Sequence, residues 1–290
     1  MTAIFKKELR SYFRGMIGCL FVALFLVVIG LYVYAICFAN SSPHYEYAYY
    51  NCSFIFLIAV PVLTMRSIAE ERRQKTDQLL YSLPVSMTQV VLGKYFAMLC
   101  VFAVPVLVSC VYPFLVHLYD PSGYLSFSAV FVAAGAFFLL GSALIAIGMF
   151  MSSLTENQIV SAVISFIAIL FVYLMGQLSQ MLSGTSGVTA IVFAFLILLL
   201  SLLVFFVTKS KTAGWLVFFV LEVPIIVISF LKPTLLEGLL PKVFGVLSVY
   251  ERFYSFADGL VDLKSALYFV TVAVLFLVFT VQSMEKRRWS

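Results

Sequence analysis

Between Arg66 and Lys94 the chain reads RSIAEERRQKTDQLLYSLPVSMTQVVLGK, a polar island in an otherwise apolar sequence. Glu70, Glu71, Arg72, Arg73, Lys75 and Asp77 crowd its first half. Drawn as a helix, Arg72, Thr76, Leu79, Leu80 and Leu83 share one stripe, with Glu70, Glu71, Gln74, Asp77 and Gln78 opposite. Glu71 with Lys75 and Arg73 with Asp77 fall at i,i+4, where opposite charges add about 0.2–0.5 kcal/mol per pair. Such a segment can seat its leucines in a groove of another protein while its charges meet groups around the rim. Pro84 disfavours helix at Leu83 and ends the element. Ser86 followed by Gln89 is a capping box, so a new helix is expected from about Met87. The reading is an amphipathic helix over residues 69–84, outside the bilayer and held between two spans, where the protein receives force from a partner.

Other chemistry is sparse. No GxxxxGK[ST] occurs, and Gly93-Lys94 is followed by Tyr95, so the chain has no P-loop to cradle nucleotide phosphates. There is no HExxH, no GxSxG and no pair of carboxylates within one apolar run. His44 and His117 are the only histidines, and Cys19, Cys37, Cys52, Cys100 and Cys110 are scattered without metal-ligand spacing. The cysteines read as small apolar residues. No catalytic residue and no metal site is expected. The exception is Glu222, within an apolar run and two residues before Pro224. A carboxylate at bilayer depth costs a few kcal/mol, so it marks a substrate or proton pathway, or a glutamate bonded to a neighbouring helix.

The elements that position these residues follow from composition. The chain is 63% hydrophobic and 11% charged, against roughly 45–50% and 25% for a soluble domain. Its mean hydropathy is +1.11. The apolar runs are continuous rather than alternating and close to the ~20 residues a spanning helix needs, which indicates an all-α polytopic membrane protein rather than a β-barrel. The basic N-terminus lacks a cleavable signal pattern. In residues 1–16, Phe5, Leu9, Tyr12, Phe13 and Met16 recur at helical spacing among Lys6, Lys7, Arg10 and Arg14, the pattern of a helix lying at the headgroups.

Spans are expected at about Ile17–Phe38, Cys52–Ile68, Val91–Leu118 (kinked or broken by Pro105 and Pro113), Leu125–Met151 and Glu156–Met181. Three more follow at about Val188–Val207, Gly214–Leu231 and Leu263–Gln282. The first outer loop, Asn40–Asn51, carries tyrosines suited to the interface. Thr155 and Gln158 form a second capping box. This makes a bundle of about eight helices, or six if the Val188–Val207 and Gly214–Leu231 pair is re-entrant. Of 18 Lys and Arg, 14 fall on the side of the termini and the polar island, which places that side in the cytoplasm. Residues 232–262 then form extracytoplasmic short helices separated by Pro241.

Five stretches form a further pattern: Phe5-Lys6-Lys7-Glu8-Leu9 with Tyr12-Phe13, Glu70…Arg73…Thr76…Leu79-Leu80…Leu83-Pro84-Val85-Ser86…Gly93-Lys94, and Ser152-Ser153-Leu154-Thr155-Glu156-Asn157-Gln158. Glu251-Arg252-Phe253…Phe256…Gly259…Asp262…Tyr268 and the closing Glu285…Arg287-Arg288-Trp289 complete it. Together they resemble a known family, the permease subunits of type-2 ABC exporters, similar to those of gliding-motility and copper-enzyme-maturation systems. The chain departs from the family at Gly15-Met16, where members often carry Ser-Pro.

The resemblance implies a single permease domain over residues 1–290, not an enzyme, and no particular substrate; the expected cargo is amphipathic or hydrophobic. ATP and Mg would be bound by a separate ATP-binding cassette subunit, with no cofactor in this chain. Other implied partners are a second permease, identical or different, and membrane lipids; nucleic acid is not among them. Coupling to the ATPase is carried to Glu70, Glu71, Arg73, Thr76, Leu79, Leu80 and Leu83, and an accessory cytoplasmic contact to Leu154, Thr155 and Glu156. The expected location is a bacterial plasma membrane, both termini cytoplasmic. The competing reading is an ion-coupled secondary transporter using Glu222.

Overall fold

The computed structural model describes residues 1–40, 44–76, 85–119, 125–181, scattered positions from 187 to 224, 238–257, 259 and 261–288. Among these every regular element is helical. In chain order they are α1 (Thr2–Arg14), α2 (Met16–Val33, continued as a π-helical turn Tyr34–Ala39), α3 (Glu46–Cys52) and α4 (Phe56–Thr64). Next come α5 (Ala69–Arg73), α6 (Met87–Ser109), α7 (Tyr112–Tyr119), α8 (Phe127–Leu154) and α9 (Gln158–Met181). The last are α10 (Leu239–Leu247), α11 (Val249–Ala257) and α12 (Leu263–Arg288).

Among the described residues, six stretches are long and apolar enough to cross a membrane: Met16–Ala39, Glu46–Arg73, Met87–Tyr119, Phe127–Leu154, Gln158–Leu178 and Leu263–Arg287. The runs expected at Val188–Val207 and Gly214–Leu231 lie largely outside the described residues.

The chain clusters into two compact units, Met1–Phe171 with Val249–Ser290, and Val172–Ser248. In the first, α8 is the central helix, packed by α3, α4, α6, α11 and α12. Its sequence explains the place. Ala133, Ala134, Ala136, Gly141, Ala143, Ala146 and Gly148 are small and buried, and small residues let helix backbones approach in a bilayer. A Cβ on Gly141 would sit 2.3 Å from Phe102, and one on Gly148 2.5 Å from Thr64 Oγ1. Around this helix Phe25, Phe56, Phe102 and Phe137 form one aromatic cluster, with Phe56–Phe137 centroids 4.7 Å apart and Phe25–Phe56 5.5 Å apart. Pairs of this kind add about 0.5–1.5 kcal/mol each beyond their burial.

Local signals are honoured where the partner is near in sequence. Ser86 caps α6 by accepting from the Gln89 amide at 3.4 Å. The third span breaks at Cys110–Val111, between α6 and α7, as Pro105 and Pro113 led one to expect.

Four expectations need correction. The cap of the fifth span is Asn157, whose Oδ1 accepts from the Ile159 amide at 2.9 Å; Thr155 turns its hydroxyl to the Asn157 carbonyl instead. The first outer loop is shorter than Asn40–Asn51, because helix resumes at Glu46 and buries Tyr45 and Tyr49 completely. Two short helices do occupy residues 239–257, but they part at Ser248. Pro241 sits within the first turn of α10, where its missing N–H has no intrahelical acceptor to lose.

The fourth correction concerns residues 69–84. Helix α5 stops at Arg73, and Lys75 takes a left-handed φ of +57°. The single helix expected across this range is therefore interrupted; residues 77–84, including Leu79, Leu80, Leu83 and Pro84, lie outside the described residues.

In the second unit, Phe244 of α10 packs with Met175 and Val192. Glu222 belongs to this unit and is buried.

Candidate functional site

Helix α1 is amphipathic, but its inner face meets protein. Ile4 lies against Gly93 of α6, where an added Cβ would be 3.2 Å from its side chain. Tyr12 is buried and donates its phenol to the Leu63 carbonyl at 3.1 Å, near the end of α4, where carbonyls lack intrahelical partners. Burial pushes that phenol well above its ordinary pKa, so Tyr12 remains a neutral donor. At the elbow, Gly15 is extended and α2 begins at Met16, the position where the chain departs from the Ser-Pro pattern. The close approach requires Gly18, since a Cβ there would sit 2.6 Å from the Tyr12 carbonyl oxygen.

Helix α5 is gripped on two sides. On one, Ser152 Oγ of α8 accepts from the Ile68 and Ala69 amides at 3.3 and 3.2 Å, filling the role of an N-cap from a distant residue. Arg72 is buried and donates to the Ser153 carbonyl, which also receives Ser283 Oγ of α12 at 3.4 Å. On the other side, Glu71 Oε2 lies 3.0 Å from Lys94 Nζ, and Glu71 Oε1 lies 3.3 Å from Lys7 Nζ of α1. Lys94 Nζ also donates to Glu8 Oε1 and to the Ser67 carbonyl, both at 2.8 Å. Beside this cluster Arg66 holds Glu70 through both Nε and Nη2, the latter at 2.8 Å, and Gln74 joins Glu70 at 3.2 Å. A cleft of about 340 Å³ opens here, lined among others by Lys7, Glu8, Arg66, Glu70, Glu71 and Lys94.

The expected site residues divide accordingly. Glu70 and Glu71 are not free rim charges but half-buried members of this network, and Glu71 pairs with Lys7 and Lys94 rather than with Lys75. Arg73 is exposed, and Thr76 turns its hydroxyl to the Glu71 carbonyl at 3.3 Å. Leu154 and Glu156 are exposed beside α5, which packs on the end of α8. Glu156 receives Arg287 of α12 at 2.8 Å. The loop between α8 and α9 and the end of α12 thus share one end of this unit with α1 and α5. Glu222 belongs to the second unit; its Oε2 has no hydrogen-bond partner among the described residues.

Lys94, Glu8 and the serine pair Ser152-Ser153 were not singled out from the sequence as the ties that hold α5. One signal was present. Lys94 is the lone Lys or Arg in the run from Met87 to Tyr119, and a lysine there is costly unless paired.

Comparison with known families yields one match. The model of a family described as ABC-2 family transporter protein covers residues 29–191, more than half of the chain and inclusive of α5 and the α8–α9 loop. Neither the curated proteins nor the solved structures give a match.

Proposed function

The chain belongs to the ABC-2 transporter family and is the permease component of an ABC transporter; from that premise we propose that it forms the membrane path of an exporter powered by a separate ATPase. ATP and Mg are bound by that partner, and a second permease, identical or different, completes the path. The cargo is amphipathic or hydrophobic. The protein lies in the plasma membrane with both termini cytoplasmic, as the bias of 14 of 18 cations suggests.

The observation that supports a coupling role is the double grip on α5. Its N-terminus is capped by Ser152 of the central helix, and its acidic side is locked to α1 and α6 through Lys7 and Lys94. A push on this turn has rigid elements to act upon. In this reading Glu70, Glu71, Arg73 and Thr76 set its position and charge, Leu79, Leu80 and Leu83 enter the ATPase, and Leu154, Thr155 and Glu156 supply the accessory contact. The permease is purified with the ATPase that has the P-loop this chain lacks. Changing Leu79 and Leu80 to Asp is expected to abolish co-purification and transport while membrane insertion stays normal. Full coupling in that double variant rejects the assignment.

The buried carboxylate of Glu222 favours a second reading, an ion-coupled carrier. It is separated by one variant: Glu222→Gln should leave ATP-driven transport intact, and abolition of an ion-driven flux would favour the carrier.

A further inference from the structure

We infer that Lys94 is a positioning residue that ties α1 and α5 to the third span, so that the three move as one body. The inference rests on the reading of α5 as the coupling element and names the part that passes its motion on.

Lys94 lies two turns inside α6 with its side chain 2% exposed. An ammonium buried so deeply needs partners for all three of its N–H groups. It has three, each from a different segment: Glu8 Oε1 of α1 at 2.8 Å, the Ser67 carbonyl between α4 and α5 at 2.8 Å, and Glu71 Oε2 of α5 at 3.0 Å. The two carboxylates are themselves only 13% and 14% exposed. Lys7 closes the set from the solvent side by reaching the other oxygen of Glu71 at 3.3 Å. Cations and carboxylates therefore alternate from Glu8 through Lys94 and Glu71 to Lys7. If α5 moved without α1, Lys94 would lose a carboxylate and keep a buried N–H without an acceptor. Motion of the three together keeps every contact. Other features of the cluster agree: Gly93 lets Ile4 of α1 close on α6 at the adjoining position, and Tyr12 fixes the far end of α1 to the Leu63 carbonyl.

A merely stabilising ion pair and a mechanical tie respond differently to neutralisation. Lys94→Met combined with Glu8→Gln removes one cation and one carboxylate and leaves Glu71 paired with Lys7, so the fold should survive, as its melting temperature will report. Spin labels are placed at exposed Arg10 on α1 and exposed Lys75 just after α5, in a background lacking the exposed thiols of Cys19 and Cys100. The distance between them is read in the full complex with and without ATP plus vanadate. The native chain should give a single distance that ATP and vanadate do not change. The double variant should lose it to a broad distribution, while Lys94→Arg retains it. An unchanged single distance in the double variant overturns the inference, as does a native distance that shifts on trapping. Absence of any ATPase from the native complex would count against the coupling reading instead. The nucleotide-free distances then decide the tie alone: a broad distribution in the double variant supports it, and an unchanged single distance there overturns it.

Discussion

The phenol of Tyr45 donates to the backbone carbonyl of Ser109 at 3.0 Å. That carbonyl has no helical donor of its own, because the residue four positions on is Pro113. The side chain of Ser109 is engaged as well. Its hydroxyl donates to the Val106 carbonyl at 2.7 Å, so the Tyr49 phenol, 2.8 Å from the same oxygen, must be the donor in that contact. Tyr45, just before α3, and Tyr49 within it thus close the place where the third span breaks. Replacing Tyr45 with Phe should cost about 1 kcal/mol, above the ~0.6 kcal/mol average for a side-chain bond between spans, since the carbonyl is left bare. Thermal unfolding in detergent will measure it. Tyr34→Phe is the control, being 64% exposed, and should melt with the native protein.

The glycines of α8 make a second prediction, in which position decides the sign. Gly141→Ala forces a methyl to within 2.3 Å of the Phe102 ring, which is fully buried in the aromatic cluster. The expected loss is about 1–3 kcal/mol, as for other overpacked cores. Gly148→Ala meets Thr64 at 2.5 Å and should behave alike. Gly135→Ala meets nothing within 4 Å and should be neutral or slightly stabilising, because alanine favours helix. Equal melting temperatures for Gly135→Ala and Gly141→Ala would contradict this packing.

Ion pairs at the coupling end should differ by their burial. Arg287 and Glu156 are 41% and 66% exposed, and Glu156→Gln should change stability by less than about 1 kcal/mol. Lys94→Met alone strands Glu8 beside Glu71 and should cost about 3–5 kcal/mol, most of it the penalty of the uncompensated buried carboxylate. Adding Glu8→Gln should recover much of that loss. Denaturation of the three variants side by side tests the order.

Topology is open to labelling. In a background without Cys19 and Cys100, a cysteine at Ser290 should react only with reagent admitted to the cytoplasm. One at exposed Lys242 should react with an impermeant reagent applied outside. The same side for both would refute the arrangement.

What the sequence determined by itself is whatever depends on composition or on neighbours a few residues away. Apolar run length specified a helical membrane protein, because a bilayer leaves no water for unpaired backbone groups. The Ser86–Gln89 cap and the break near Pro113 were legible for the same reason: donor and acceptor lie within one turn. The likeness of the first polar loop to type-2 ABC permeases was legible too, and the family match bears it out. Tertiary structure decided the rest. Periodicity drew one helix from 69 to 84, yet α5 ends at Arg73, with Arg72 held by Ser153, 81 residues away. The tyrosines of the first outer loop looked interfacial, yet Tyr45 and Tyr49 are buried because Ser109 offers them acceptors 64 and 60 residues on. Lys94 carries no local sign of its partners, since Glu8 is 86 residues away. Which charges meet across such separations depends on how the spans pack, and that packing depends on small residues such as Gly93 and Gly148 whose role is visible only once the helices touch.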